Sequence, residues 1–170
     1  SRLMDEVRAN ALIRGASVVV CHAEEGGRPY QLWAQLARWL YLTCNLSSDE
    51  RRVLIQIAPD LNQQPNADSS PPSLTPDDTR LRMFSVIAEV LGRLSRPLMV
   101  VLEDLHWAGA ESIDLLAFLS VDVEELPLMM AGTIRSEFTS ELAEHFPNAS
   151  WMSLQRLDRD TMHQLVARVF

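Results

Sequence analysis

The strongest constraint on the fold is the apolar run at residues 98–102 (Leu-Met-Val-Val-Leu), which the acids Glu103 and Asp104 follow directly. A strand that is apolar at every position is typical of the centre of a parallel sheet, where helices cover both faces. Further apolar runs at 17–21 and 128–134 are separated from it by segments with helical periodicity. This alternation predicts an α/β chain with a parallel sheet sandwiched by helices.

Helices are expected between and after these strands. Apolar residues recur at helical spacing in residues 3–12, 31–40, 79–95 and 113–117. Ser48 is the expected N-cap of a further short helix, and Asp158 is the expected N-cap of the last one. A helix at 140–146 and a strand at 151–154 complete the predicted order of elements.

The domain organisation depends on how the one low-complexity stretch is interpreted. Residues 62–78 are rich in Pro, Ser, Asn, Gln and Asp, and they carry too little apolar surface to offset the entropy lost on ordering them. We expect a flexible surface excursion within one domain, because alternating elements continue after it; a domain linker is the alternative. Residues 1–155 then form the α/β core, and residues 156–170 begin a helical segment.

Composition excludes several classes of function. All 15 basic residues other than histidine are arginine, so Schiff-base chemistry and lysine general bases have no residue to carry them. The formal net charge of −8 argues against direct binding of nucleic acid. No apolar run approaches the roughly 20 residues needed to cross a membrane. The two cysteines, Cys21 and Cys44, form no Cys-x-x-Cys motif, and the cytoplasm is the simplest compartment for the chain.

The polar residues that follow the predicted strands are the candidate functional residues. Glu103 and Asp104 come after one strand and Arg135 after the next, and ligands of α/β sheets bind at the carboxyl ends of strands. Such a group suits a metal-bound polyphosphate: one carboxylate holds Mg²⁺, the second polarises water, and the guanidinium contacts the terminal phosphate. The alternative is structural, with both acids capping the next helix and Arg135 as their ion-pair partner.

The segment 96–108 (Arg-Pro-Leu-Met-Val-Val-Leu-Glu-Asp-Leu-His-Trp-Ala) strongly resembles the Walker B segment of AAA-type ATPases of the STAND group. These are signal-transduction ATPases found in large bacterial regulators and in cyclase- and kinase-linked proteins. Residues 132–135 (Gly-Thr-Ile-Arg) are similar to the fourth strand of that family with its sensor arginine. Residues 21–40 resemble the segment after the second strand, and residues 154–168 resemble the start of the lid helix.

The resemblance implies a P-loop NTPase-like sheet with ATP and Mg²⁺ as ligands. Ser1 would be the last residue of the phosphate loop, with its hydroxyl on Mg²⁺, and Arg2 would follow it at the nucleotide. Glu103 would be the Mg²⁺ partner, Asp104 would orient water, and Arg135 would sense the nucleotide. The first, central strand and the phosphate loop would then be missing, so we expect the chain alone to bind nucleotide poorly. An ordinary N-cap is the alternative for Ser1.

Two departures from the family pattern limit what the resemblance implies. Gly109 stands where the family usually has Asp, and Glu103-Asp104 reverses the commoner Asp-Glu order, which leaves the identity of the general base open. The expected function is the ATP-binding core of a regulatory switch, with nucleotide and the neighbouring effector and sensor domains as partners. ATP hydrolysis is expected in the intact parent. The alternative is a degenerate α/β module that binds partner proteins and no nucleotide.

Overall fold

The computed structural model describes residues 2–62, 76–121 and 123–155. The helices are α1 (Arg2–Ile13), α2 (Ala34–Thr43), α3 (Ser48–Ile57), α4 (Pro76–Gly92), α5 (Ala110–Val121) and α6 (Thr139–His145). The strands are β1 (Ser17–His22), β2 (Leu98–Glu103) and β3 (Leu128–Gly132). Within these described ranges, no helix combines the length and apolar character needed to span a bilayer.

The three strands form one parallel sheet in the order β1-β2-β3. β2 lies in the middle, and five of its six residues are buried, as its uninterrupted apolar sequence predicts. The register pairs Ser17 with Leu98 at one end and His22 with Glu103 at the other. The predicted α/β fold with a parallel sheet is confirmed, and the pairing places the ends of β1 and β2 side by side.

Different helices cover the two faces of the sheet, because alternate residues of a strand point to opposite faces. The residues facing α1 are Val18, Val20, Met99 and Val101, with Met4 of α1 buried against them. The opposite face carries Val19, Cys21, Leu98, Val100 and Leu102, and it packs on α2, α3, α4 and α5 in the main core. By the same alternation, His22 and Glu103 extend the face that α1 covers.

The predicted strand at 151–154 is wrong, because the structure gives residues 151–155 no regular secondary structure. Trp151, Met152 and Leu154 are exposed instead of packed. A strand requires a hydrogen-bonded neighbour, and none of the three described strands pairs with this segment. The apolar residues of this segment are therefore not enough on their own to form a strand.

Two helix starts also differ from the sequence prediction. Ser47, not Ser48, is the N-cap of α3: its hydroxyl accepts from the backbone N–H of Glu50, and the Glu50 carboxylate accepts from the backbone N–H of Ser47. This reciprocal pair is a capping box, which requires Glu or Gln three residues after the cap. The fourth helix begins at Pro76 instead of residue 79, since proline is well suited to the first turn of a helix.

Three predictions concern residues outside those that the structure describes. Ser1 is one of them, so its proposed contact with Mg²⁺ stays a prediction. The greater part of the expected excursion, residues 63–75, is another, and the expected lid segment at 156–170 is the third. The division of the chain at residue 155 is likewise still a prediction.

Candidate functional site

The N-terminal end of α1 lies at the same edge of the sheet as the carboxyl ends of the strands. Between α1 and β1 the chain reverses in a tight turn, in which the Ala16 N–H donates to the Ala11 carbonyl at 3.0 Å and Gly15 has a φ of +85°. The 12 residues of α1 span about 18 Å and the 6 residues of β1 about 20 Å. The antiparallel helix therefore reaches the carboxyl edge at Arg2, its first and exposed residue.

Glu103 is the last residue of β2, the middle strand of the three described. By the alternation of the strand, its side chain lies on the sheet face that α1 covers. Its carboxylate is largely buried, with 19% of the side chain exposed, and its Oε2 lies 3.0 Å from Nδ1 of His22. His22 is its register partner at the end of β1, and 57% of the His22 side chain is exposed. No motif in the sequence marks His22, although it is the last residue of β1 and ligands of α/β sheets bind at the carboxyl ends of strands.

Asp104 follows in a left-handed backbone conformation, with φ of +58° and ψ of +43°. A non-glycine residue at positive φ is uncommon and requires support from its surroundings. Thr133 supplies that support: its Oγ1 accepts from the Asp104 N–H at 3.1 Å, and its carbonyl accepts from the Leu105 N–H at 2.9 Å. The turn after β2 is thus held by the residue that follows β3, and the Asp104 side chain is exposed at the edge.

Arg135 is placed at this edge by aromatic rings. Its guanidinium carbon lies 5.7 Å from the centroid of the Trp107 ring, within the range of a cation–π interaction. His106 fills the space between two rings, with its centroid 4.9 Å from that of Trp107 and 5.5 Å from that of Phe138. Trp107, packed against His106, therefore provides the ring on which the Arg135 guanidinium stacks.

The structural alternative for the two acids is not observed. Asp104 precedes the short 3₁₀ turn Leu105–Trp107, but its side chain makes no capping hydrogen bond, and α5 begins only at Ala110. In the part of the chain that the structure describes, neither Glu103 nor Asp104 forms an ion pair with Arg135. The acids and the arginine therefore share an edge of the sheet without neutralising one another.

Cys21 is buried on the other face of β1 and takes no part in this site. Burial raises the pKa of its thiol to about 12, although a hydrogen bond with the backbone of Leu36 acts in the opposite direction. A thiol with such a pKa is protonated at neutral pH and is a poor nucleophile and metal ligand. Among the described residues, no cluster of three or more His, Cys, Asp or Glu side chains could hold a metal ion.

Gly132 determines how closely the turn after β2 approaches β3. A Cβ at this position would lie 2.5 Å from Cδ1 of the buried Leu105. We expect Gly132→Ala to lower the free energy of unfolding by about 1–3 kcal/mol, the usual cost of overpacking a core, as measured by urea denaturation. Gly109→Ala is the matched control, because its Cβ would meet only Glu111 Oε2 at 3.4 Å. Equal losses for the two variants would contradict this account.

The structure brings together most of the residues predicted for the site. Glu103, Asp104 and Arg135 lie at the carboxyl edge of the sheet, and the helix that begins at Arg2 reaches the same edge. His22 and Thr133 join them, although the sequence analysis gave neither a role. A parallel α/β sheet with acids at the end of its middle strand and a helix N-terminus at the same edge is consistent with the P-loop NTPase-like class.

Comparison with known families agrees with this classification. The sequence model of the AAA ATPase domain matches residues 1–131, which is more than half of the chain, and the chain belongs to that family. No curated protein matches it detectably, and neither does any solved structure. Membership of an ATPase family favours a nucleotide-binding core over a module that binds only partner proteins.

Proposed function

We infer that the chain is the ATP-binding core of a signal-transduction ATPase of the STAND group, which binds ATP with Mg²⁺ and acts as a regulatory switch in a large bacterial regulator of the cytoplasm. The observation that carries this inference is the position of Glu103 at the end of the central strand, on the sheet face that α1 covers. A helix N-terminus attracts phosphate through its free N–H groups and its dipole. The Glu103 carboxylate and the proposed phosphate site at the start of α1 would thus lie at the same edge of the sheet.

The donor set fits Mg²⁺ that arrives with a nucleotide. Mg²⁺ prefers oxygen ligands, keeps several waters, and is usually held by one or two carboxylates together with substrate phosphates. Glu103 offers such a carboxylate, and by the family resemblance Ser1 adds a hydroxyl. Bound Mg²⁺ would neutralise charge on the phosphates. The chain's own residues hold that carboxylate at the end of β2, on the sheet face that α1 covers.

Asp104 and Arg135 have separate parts in the proposed switch. Asp104 is exposed at the edge and supplies the second carboxylate, which would orient water for hydrolysis. Arg135 rests on Trp107 and would contact the terminal phosphate, so that ATP and ADP favour different arrangements of the chain. The neighbouring effector and sensor domains would respond to that difference.

The test is a calorimetric titration of the full-length protein with ATP, in the presence and the absence of Mg²⁺. We expect affinity to be higher with Mg²⁺, and we expect residues 1–170 alone to bind more weakly than the full-length protein. Equal affinity under both conditions would overturn the role of the metal. No binding of ATP under either condition would favour the protein-interaction module instead.

Arg135→Ala tests the proposed contact with the terminal phosphate. We expect the ratio of ATP to ADP affinity to fall by roughly 10-fold or more, because hydrogen bonds to charged groups contribute about 1.5–3 kcal/mol. The measurement is competitive binding of the two nucleotides. Arg52→Ala is the matched control, since Arg52 is exposed on α3 and pairs with Asp49. An unchanged ratio in Arg135→Ala would make Arg135 a structural residue.

A further inference from the structure

A histidine on the neighbouring strand contacts the candidate metal ligand Glu103. His22 Nδ1 lies 3.0 Å from Glu103 Oε2, and within the described residues no other side chain forms an ion pair or hydrogen bond with that carboxylate. The contact uses one carboxylate oxygen and leaves Oε1 for another ligand. The pair therefore fixes the carboxylate without occupying all of it.

Rigid backbone holds both members of the pair. His22 and Glu103 are register partners, and the ladder continues beyond them, because the Ala23 N–H donates to the Glu103 carbonyl at 2.9 Å. A glutamate side chain on its own samples many rotamers, and ordering it costs conformational entropy. The imidazole selects one orientation of the carboxylate before any ligand is bound.

We propose that His22 is a positioning residue for the Mg²⁺ site, acting through the carboxylate of Glu103. The proposal rests on the proposed function, because it assumes that Glu103 meets Mg²⁺. Imidazole nitrogen is a poor ligand for this hard cation, so the role of His22 is indirect. Outer partners that orient metal ligands typically contribute 10- to 100-fold to metal affinity.

The first experiment measures Mg²⁺ affinity in the presence of ATP by calorimetry with the full-length protein. We expect His22→Ala to weaken it roughly 10-fold or more, and we expect His22→Asn to restore most of it, because the Asn amide also donates an N–H near the position of Nδ1. We expect ATP affinity without Mg²⁺ to change less than Mg²⁺ affinity, because His22 acts through Glu103. His145→Ala is the control, since His145 is exposed on α6, far from this pair in the sequence, and its neighbours there are the Glu141 carbonyl and the Phe146 ring.

The second experiment needs no nucleotide. A double-mutant cycle of His22→Ala and Glu103→Gln, followed by urea unfolding, measures the coupling of the two side chains. We expect the unfolding constant of the double variant to differ from the product of the single effects by roughly 2- to 5-fold, the range of partly exposed ion pairs. Absence of coupling would overturn the proposal.

The outcomes separate this proposal from the proposed function. If the wild-type protein binds ATP without any dependence on Mg²⁺, the proposed function fails, and the positioning role fails with it even where the two side chains are coupled. If the wild type depends on Mg²⁺ and His22→Ala does not change that dependence, only the positioning role is overturned. Tighter Mg²⁺ binding by His22→Ala would also overturn it, because His22 would then compete with the metal.

Discussion

Glu103→Gln is expected to remove most of the Mg²⁺ dependence of ATP binding by the full-length protein. Glutamine keeps the size of the side chain and one oxygen, but it loses the negative charge that a divalent cation requires. Loss of even an outer partner of a metal ligand weakens metal binding by roughly 10- to 100-fold, and loss of the ligand charge should cost at least that much. The measurement is ATP affinity by calorimetry, with and without Mg²⁺.

Two variants make this experiment specific. Glu124→Gln removes the same charge from an exposed residue before β3, at the opposite edge of the sheet, and should leave the Mg²⁺ dependence unchanged. Asp104→Asn should leave binding largely intact and slow ATP hydrolysis, because the proposed role of Asp104 is to orient water. If Asp104→Asn abolishes the Mg²⁺ dependence while Glu103→Gln does not, the proposed roles of the two acids are exchanged.

The sheet could be predicted from the sequence because each of its strands is an apolar run. The run at 98–102 is apolar at every residue, which is compatible only with burial on both faces, and β2 is indeed the middle strand. The segment 151–154 has no such evidence: three of its four residues are apolar, but a strand also needs a neighbour that pairs with it. Pairing is a property of the whole fold, and local sequence does not contain it.

From the sequence, only those site residues that directly follow a predicted strand could be identified. Glu103, Asp104 and Arg135 were selected because they follow strands, and the parallel sheet brings those ends to one edge. The contact between His22 and Glu103 depends on the register of two strands that are far apart in the sequence. A shift of one residue would turn His22 to the other face, so no local pattern predicts this pair.

The support of the left-handed turn at Asp104 was missed for a related reason. Thr133 belongs to the segment that resembles the family's fourth strand, but its hydroxyl oxygen accepts from the Asp104 backbone N–H in the turn after the neighbouring strand. Side-chain hydrogen bonds of this kind become visible only when the sheet is assembled. The sequence therefore indicates which residues reach the edge, and the structure shows which of them hold the others in place.

Trp33→Ala is expected to cause the largest loss of stability, about 3–5 kcal/mol of the free energy of unfolding. Trp33 is only 1% exposed, and its Nε1–H donates to the Ser112 carbonyl at 3.0 Å. It therefore ties the turn before α2 to the first turns of α5, the helix that follows the acids. Removing the indole leaves a large cavity in the main core and removes the hydrogen bond to the Ser112 carbonyl.

Two further variants separate the parts of this effect in urea denaturation. Trp33→Phe keeps most of the apolar contact and removes the hydrogen bond, so we expect a smaller loss of about 1–3 kcal/mol. Trp151→Ala removes the same kind of side chain from an irregular segment where 44% of it is exposed, and it should change stability by less than about 0.5 kcal/mol. Comparable losses for Trp33→Ala and Trp151→Ala would contradict the assignment of Trp33 to the main core, because only a packed indole leaves a cavity when it is removed.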